Sequence, residues 1–206
     1  MRTPFLFVAA LSALFLARAG GQQSAPEIEV TDVRFDRVAG DWIVGSVAIR
    51  SGENPAPDAR DSDFIDDVRL TFHICFEVDL ENVEEEFSFY RSSVRMVSLE
   101  QRETYTLKFY LPGVVRERDD LDVDPFAWVV EMEAGGVPIP VREDQFDKSA
   151  IQSKEAFDSF LSKANSEGAA NDGIFLPSYL APANVVNESR LNYRELPAFY
   201  RFEPVN

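Results

Sequence analysis

The sequence predicts a mainly β protein: a sandwich of two sheets, followed by one helix and an aromatic C-terminal segment. Three observations carry this. Val68, Leu70, Phe72, Ile74, Phe76, Val78 and Leu80 alternate without a break with Arg69, Thr71, His73, Cys75, Glu77 and Asp79, which puts one apolar and one mixed face on a single strand. Short strand-like runs recur between turn signals from Glu27 to Val141, the spacing of a sandwich or barrel. Beyond Ser149 the apolar period changes to three and four. Burying the seven apolar side chains gains on the order of 10–20 kcal/mol, and ordering thirteen residues costs about as much. The central strand therefore needs a second layer over its apolar face.

In chain order, Glu27 to Arg37 reads as the first strand, with Ile28 and Val30 and then Val33 and Phe35 as its apolar positions. The spacing slips by one between Val30 and Val33, which predicts a bulge. Ala39-Gly40-Asp41 is a turn. Trp42 to Arg50 is the second strand, with Ile43, Gly45, Val47 and Ile49 as the better core face. Ser51 to Asp63, with Gly52, Asn54, Pro55 and Pro57, is a loop by composition. The central strand follows, and Glu81 to Glu86 makes an acidic turn.

Phe87 and Phe89 open a fourth strand running through Val94 and Met96 towards Leu99. Arg102 to Leu111 is a fifth, with Tyr105, Leu107, Phe109 and Leu111 on one side, and Pro112-Gly113 ends it. Arg116 to Asp124 is a charged connection. Phe126, Trp128, Val130 and Met132 form one face of a sixth strand. Ala134-Gly135-Gly136 predicts a tight hairpin into a seventh, with Val137, Ile139 and Val141. Its Pro138 and Pro140 lack donors, which marks a sheet edge. Seven such strands over residues 27–142 are expected to form an immunoglobulin-like sandwich.

Ser149 to Asn165 carries a helical stripe of Ile151, Phe157, Phe160, Leu161 and Ala164, with Gly168 as its stop. Asn171 to Asn206 contains Phe175, Tyr179, Tyr193, Phe199, Tyr200 and Phe202, too apolar for a disordered tail. Residues 149–206 are expected to pack on the sandwich or extend from it as a docking segment. Thr71, His73 and Cys75 are mild for a solvent-facing row, as if that face were covered.

Residues 1–19 read as an export signal: Arg2, an apolar run from Phe5 to Leu16, and Ala17-Arg18-Ala19 before the cleavage point. A run of twelve residues is too short to span a bilayer as a helix, and no later stretch resembles a span. Losing Arg2 and Arg18 takes the formal charge from −16 to −18. Such a surface repels nucleic acid and anionic lipid. A single cysteine, Cys75, precludes an intrachain disulfide and fits a bacterial exported protein. Periplasm, outer-membrane surface or extracellular space is the expected location.

The motifs name no chemistry. His73, Cys75 and Glu77 share a strand face, but no further His or Cys exists to complete a metal site. Asp120, Asp122 and Asp124, and Asp61, Asp63, Asp66 and Asp67, give alternating carboxylates without the Gly and Glu of a helical calcium loop. No nucleophile elbow, metalloprotease helix or P-loop is present. No catalytic, cofactor-binding or metal residue is therefore assigned, and a non-enzymatic protein is expected. Trp42, Trp128, Tyr90 and Tyr110 leave a carbohydrate-binding module as an alternative, with Tyr110 expected opposite the core set of its strand and open to solvent. A carboxylate-dependent hydrolase is the second alternative.

The runs Glu27-Ile-Glu-Val-Thr-Asp-Val-Arg-Phe35, Trp42-Ile-Val-Gly-Ser-Val-Ala-Ile49 and Leu70-Thr-Phe-His-Ile-Cys-Phe76 resemble small exported immunoglobulin-like proteins encoded beside type IV pilus genes in mucin-dwelling Verrucomicrobia. The resemblance covers about residues 27–142 and implies a pilus-associated or outer-surface accessory protein, with a fold akin to archaeal pilin ectodomains. It carries over no functional residue. The short N-terminal apolar run departs from a true pilin, which keeps a long helix for polymerisation. The implied partner is an envelope or pilus-associated protein, another copy of the chain, or a glycan.

Overall fold

The computed structural model describes residues 26–54, 59–78, 86–190 and 192–201. The signal at 1–19, Pro55, Pro57, Leu80, the acidic turn up to Glu85 and Phe202 lie outside the described residues.

Two antiparallel sheets face each other. The first contains β1 (Ile28–Val38), β2 (Trp42–Ser51), β5 (Thr104–Leu111) and β8 (Leu176–Pro177), in the order β1-β2-β5-β8. The second contains β3 (Phe64–Val78), β4 (Glu86–Glu100), β6 (Ala127–Ala134), β7 (Val137–Ile139) and β9 (Phe199–Tyr200), in the order β7-β6-β3-β4-β9. The seven expected strands form, and two further two-residue strands come from the C-terminal segment. The described residues also form three α-helices: α1 (Gly113–Arg118), α2 (Lys154–Ser166) and α3 (Ala183–Glu188).

β3 is the axis of the molecule, paired with β4 on one side and β6 on the other. Val68, Leu70, Phe72, Ile74, Phe76 and Val78 are all buried between the sheets. Leu107, Phe109 and Leu111 of β5 and Ile43, Val47 and Ile49 of β2 face them. The register of β1 on β2 slips between Val30 and Asp32, the expected bulge. The β6–β7 hairpin turns on Gly135 and Gly136, with φ of 55° and 77°, values that favour glycine.

Several boundaries differ from the sequence expectation. β3 begins at Phe64, so Asp66 and Asp67 are strand residues and not loop carboxylates. Asp67 takes φ 54° and is bound by Arg95 of β4. The ladder there has Ile65 and Val68 both buried, a change of face that simple alternation cannot express. β7 ends at Ile139, leaving Val141 outside it. The connection after Pro112 contains α1. Gly113 tolerates no side chain there, because a Cβ would lie 1.8 Å from the Gly40 carbonyl oxygen.

α2 starts at Lys154, where Ser153 accepts a hydrogen bond from the Ala156 N–H, an N-cap that the apolar stripe alone did not locate. Gly168 does not end it with a left-handed residue; it opens a 3₁₀ turn, Gly168–Asn171, packed on the Arg91 stem.

The C-terminal segment wraps both sheets. α2 lays Phe160 and Ala164 over Cys75, Phe89, Ala127 and Val129. Phe175 enters the main core, with its ring 5.8 Å from Phe72 and 5.5 Å from Phe109. α3 lays Val185 over Val44 and Tyr110. The expectation that Thr71, His73 and Cys75 lie on a covered face holds for the last two, which are buried.

Candidate functional site

Two features of the described surface can engage another molecule. One is the outer edge of β1. This strand ends its sheet, so one row of its backbone groups has no strand neighbour among the described residues. The beginning of that edge is occupied: the Val30 N–H donates to Asp144 Oδ2 at 2.9 Å, and Arg142 donates to the Ile28 carbonyl. From Asp32 to Val38 the strand carries Asp32, Arg34, Asp36 and Arg37 among Val33, Phe35 and Val38. Arg34 pairs with Asp32 at 2.5 Å and Arg37 with Asp41 at 3.5 Å. Val33 and Phe35 are half-buried against the core, and Phe35 stacks on Phe72 at 5.9 Å.

The other strands that end the described sheets, β7, β8 and β9, are short. β7 is three residues long with Pro138 in it. The segment after it continues along β6, where the Val130 N–H donates to the Gln145 carbonyl and the Asp147 N–H to the Trp128 carbonyl. β9 and β8 cover parts of β4 and β5. Short edges, prolines and covering segments are the usual means of preventing unwanted strand addition.

The second feature is a cleft of about 540 Å³ beside β4, between the outer face of its sheet and residues 172–180. Arg91 is its centre, donating to both Asp172 carboxylate oxygens at 2.7 and 2.8 Å. It also reaches the Asn165 carbonyl and side-chain oxygens at 3.4 Å. The Arg91 guanidinium holds the Asp172 carboxyl below the usual carboxylate range. The floor is the hydroxyl pair Thr71 and Ser93, 2.8 Å apart, with Glu131 beside it. His73 Nε2 lies 2.8 Å from Glu131 Oε2. That contact lowers the Glu131 carboxyl against the opposing effect of burial. Pro177, Tyr179 and Leu180 supply an apolar wall.

The residues singled out from the sequence do not converge on a site. His73 is buried and paired with Glu131, Cys75 belongs to the apolar cluster beneath α2, and Glu77 is exposed. Burial pushes the Cys75 thiol up to about 12. Asp120, Asp122 and Asp124 are exposed while Leu121 between them is buried. Among the described residues no three of His, Cys, Asp or Glu are grouped to hold a metal ion.

Tyr110 corrects the sequence reading. It is fully buried beneath α3, with its hydroxyl 2.7 Å from Ser189 Oγ. Alternation placed it opposite the core set, but that face carries a cluster of its own. Tyr90 is buried too and donates to Asp119 Oδ2 at 3.1 Å. Trp42 and Trp128 are half-buried against the α3 cluster and the main core. None of these four rings makes an open platform. The cleft was missed because its residues look ordinary one at a time; Arg91 on a face shared with Thr71 and Ser93 was the only signal available.

No protein-family model matches the chain, and no curated protein matches it. A solved structure of a protein from Akkermansia muciniphila, a Verrucomicrobium, is similar in fold: the TM-score is 0.61 at 12% identity, over 85% of this chain and 94% of that one. At that identity the likeness is one of fold. No described helix is long and apolar enough to cross a membrane.

Proposed function

We propose that this chain is a non-enzymatic, exported bacterial protein of the envelope or outer surface, with a structural or adhesive role exercised through protein–protein contact. Pilus association is the specific form that the sequence resemblance suggests. The observation that carries the reading is the outer edge of β1. It belongs to the longest of the strands that end the two described sheets, and strand addition is a general mode of protein capture. Of the C-terminal aromatics, the other contact suggested by the sequence, Phe175, Tyr179 and Phe199 pack on the chain's own core, and Tyr200 is exposed.

The carboxylates of the cleft speak against the glycosidase alternative at that place. Glu131 and Asp172 are both lowered by hydrogen-bonded partners, whereas glycoside hydrolysis needs one carboxyl kept protonated as the acid. A photo-crosslinking amino acid at position 36, on the β1 edge, tests the proposal in cells that express the protein. A discrete adduct in the envelope fraction, absent when the probe sits at Glu155 on the exposed side of α2, is the expected result. A cytoplasmic protein, or no adduct at position 36, would end it.

A second reading, carbohydrate binding, attaches to the cleft. Its charges are paired internally, leaving hydroxyl and amide groups beside an apolar wall, a mixture suited to a neutral sugar. Saturation-transfer NMR with lactose and chitobiose, repeated on Thr71→Val/Ser93→Val, tests it. Transfer lost in the variant supports this reading, and no transfer in either protein removes it.

A further inference from the structure

We infer that the β1 edge pairs with the same edge of a second copy, antiparallel, about a two-fold axis through Phe35. The inference rests on the reading of that edge as a contact surface and names its occupant. The argument is one of register. When two copies join their sheets edge to edge about a two-fold axis normal to the sheet, opposed residues lie on the same face. The axis must then fall on a residue and not between two.

Centring on Phe35 sets Arg34 opposite Asp36 and Asp36 opposite Arg34 of the second copy, with Val33 opposite Arg37 and Phe35 beside its own equivalent. Opposite charges directly across a strand pair stabilise it, and like charges destabilise it. The neighbouring registers fail. Centring on Arg34 sets arginine against arginine and Asp32 against Asp36. Centring on Asp36 sets it against itself. Centring on Val33 also sets Arg34 against Asp32, but it drives the second strand into Ile28 and Val30, whose outer groups are held by Arg142 and Asp144.

The charge of the strand supports the choice of occupant. The whole chain carries a formal charge of −16, so most faces of two copies repel each other. Residues 32–38 hold two acids and two arginines and are neutral as a stretch. Joining the edges would extend the β1-β2-β5-β8 sheet through β1 into the second copy and pair the row of backbone groups that has no strand neighbour among the described residues.

Sedimentation equilibrium of the full chain across a wide concentration range tests the inference. The expected result is a reversible dimer whose dissociation constant rises about tenfold or more in Arg34→Asp and in Asp36→Arg, each of which turns two opposed pairs from attraction to repulsion. In the exchanged variant R34D/D36R the opposed pairs are restored, and the dimer returns. Both positions are exposed, and thermal melts of the three variants establish that they fold. A monomer throughout, a dimer indifferent to either single change, or no recovery in R34D/D36R would overturn self-pairing. A monomer whose position-36 probe still gives an adduct of another mass in the envelope would overturn self-pairing alone and leave the proposed function standing.

Discussion

His73 Nε2 and Glu131 Oε2 stand 2.8 Å apart across the β3–β6 pair, with the imidazole fully buried and the carboxylate at the rim of the cleft. Glu131 thereby supplies the hydrogen-bond partner of Nε2, while Nδ1 of the same buried ring has none among the described residues.

That contact makes stability depend on pH in a defined direction. Glu131 is held below its ordinary value of 4.5, chiefly by the hydrogen bond from His73. A carboxyl lowered in the folded state stabilises the fold above its unfolded value, and the gain is lost as pH falls through the folded one. Glu131→Gln is expected to cost on the order of 1 kcal/mol at neutral pH, since the group is partly exposed. The difference from the parent should shrink below about pH 4.5. Urea melts of both proteins at pH 7 and pH 4 measure it, and a gap that widens on acidification contradicts the assignment.

Cys75 should be inert in the folded protein. It is buried beneath α2, and burial pushes its thiol up to about 12, so almost no thiolate is present at pH 8. Labelling with a chromogenic disulfide should be slower by about a hundredfold or more in buffer than in 6 M guanidinium chloride, allowing for both thiolate depletion and burial. Fast labelling of the native chain would mean that α2 does not cover this face.

Gly45 and Gly113 should tolerate alanine to different degrees. A Cβ at Gly45 would meet the Phe72 ring at 2.9 Å, Phe35 at 3.2 Å and Phe175 at 3.3 Å, all side chains that can shift. Overpacking of that kind costs about 1–3 kcal/mol. At Gly113 the obstacle is the backbone oxygen of Gly40, 1.8 Å away, with no side chain to yield. Gly45→Ala is expected to fold with a lowered melting temperature, and Gly113→Ala to lose more stability than that or fail to accumulate. Equal melting temperatures would refute the close approach of α1 to the turn before β2.

Removing residues 171–206 should abolish cooperative folding. The deletion takes away Phe175, whose loss to alanine alone is worth about 3–5 kcal/mol in a packed aromatic core, and uncovers Tyr110 and Val44 on the other sheet. Circular dichroism melts of the truncated chain and of Phe175→Ala test this. A sharp unfolding transition in the truncated chain would show the segment to be an accessory.

The sequence by itself determined the features that one stretch of chain decides. A period of two fixed the core faces of β3 and β5, and a slip in that period located the bulge after Val30. Gly135-Gly136 fixed the hairpin, because its turn needs positive φ, and Pro138 marked an edge, because it cannot donate. Tertiary structure alone decided what those strands meet. Tyr110 lies opposite its strand's core set and is buried all the same, because α3 arrives there from beyond residue 180. Arg91 becomes the centre of a cleft only when Asp172, 81 residues further on, closes on it. Local periodicity reports which side of a strand is apolar; it carries no information about which distant segment covers the other side.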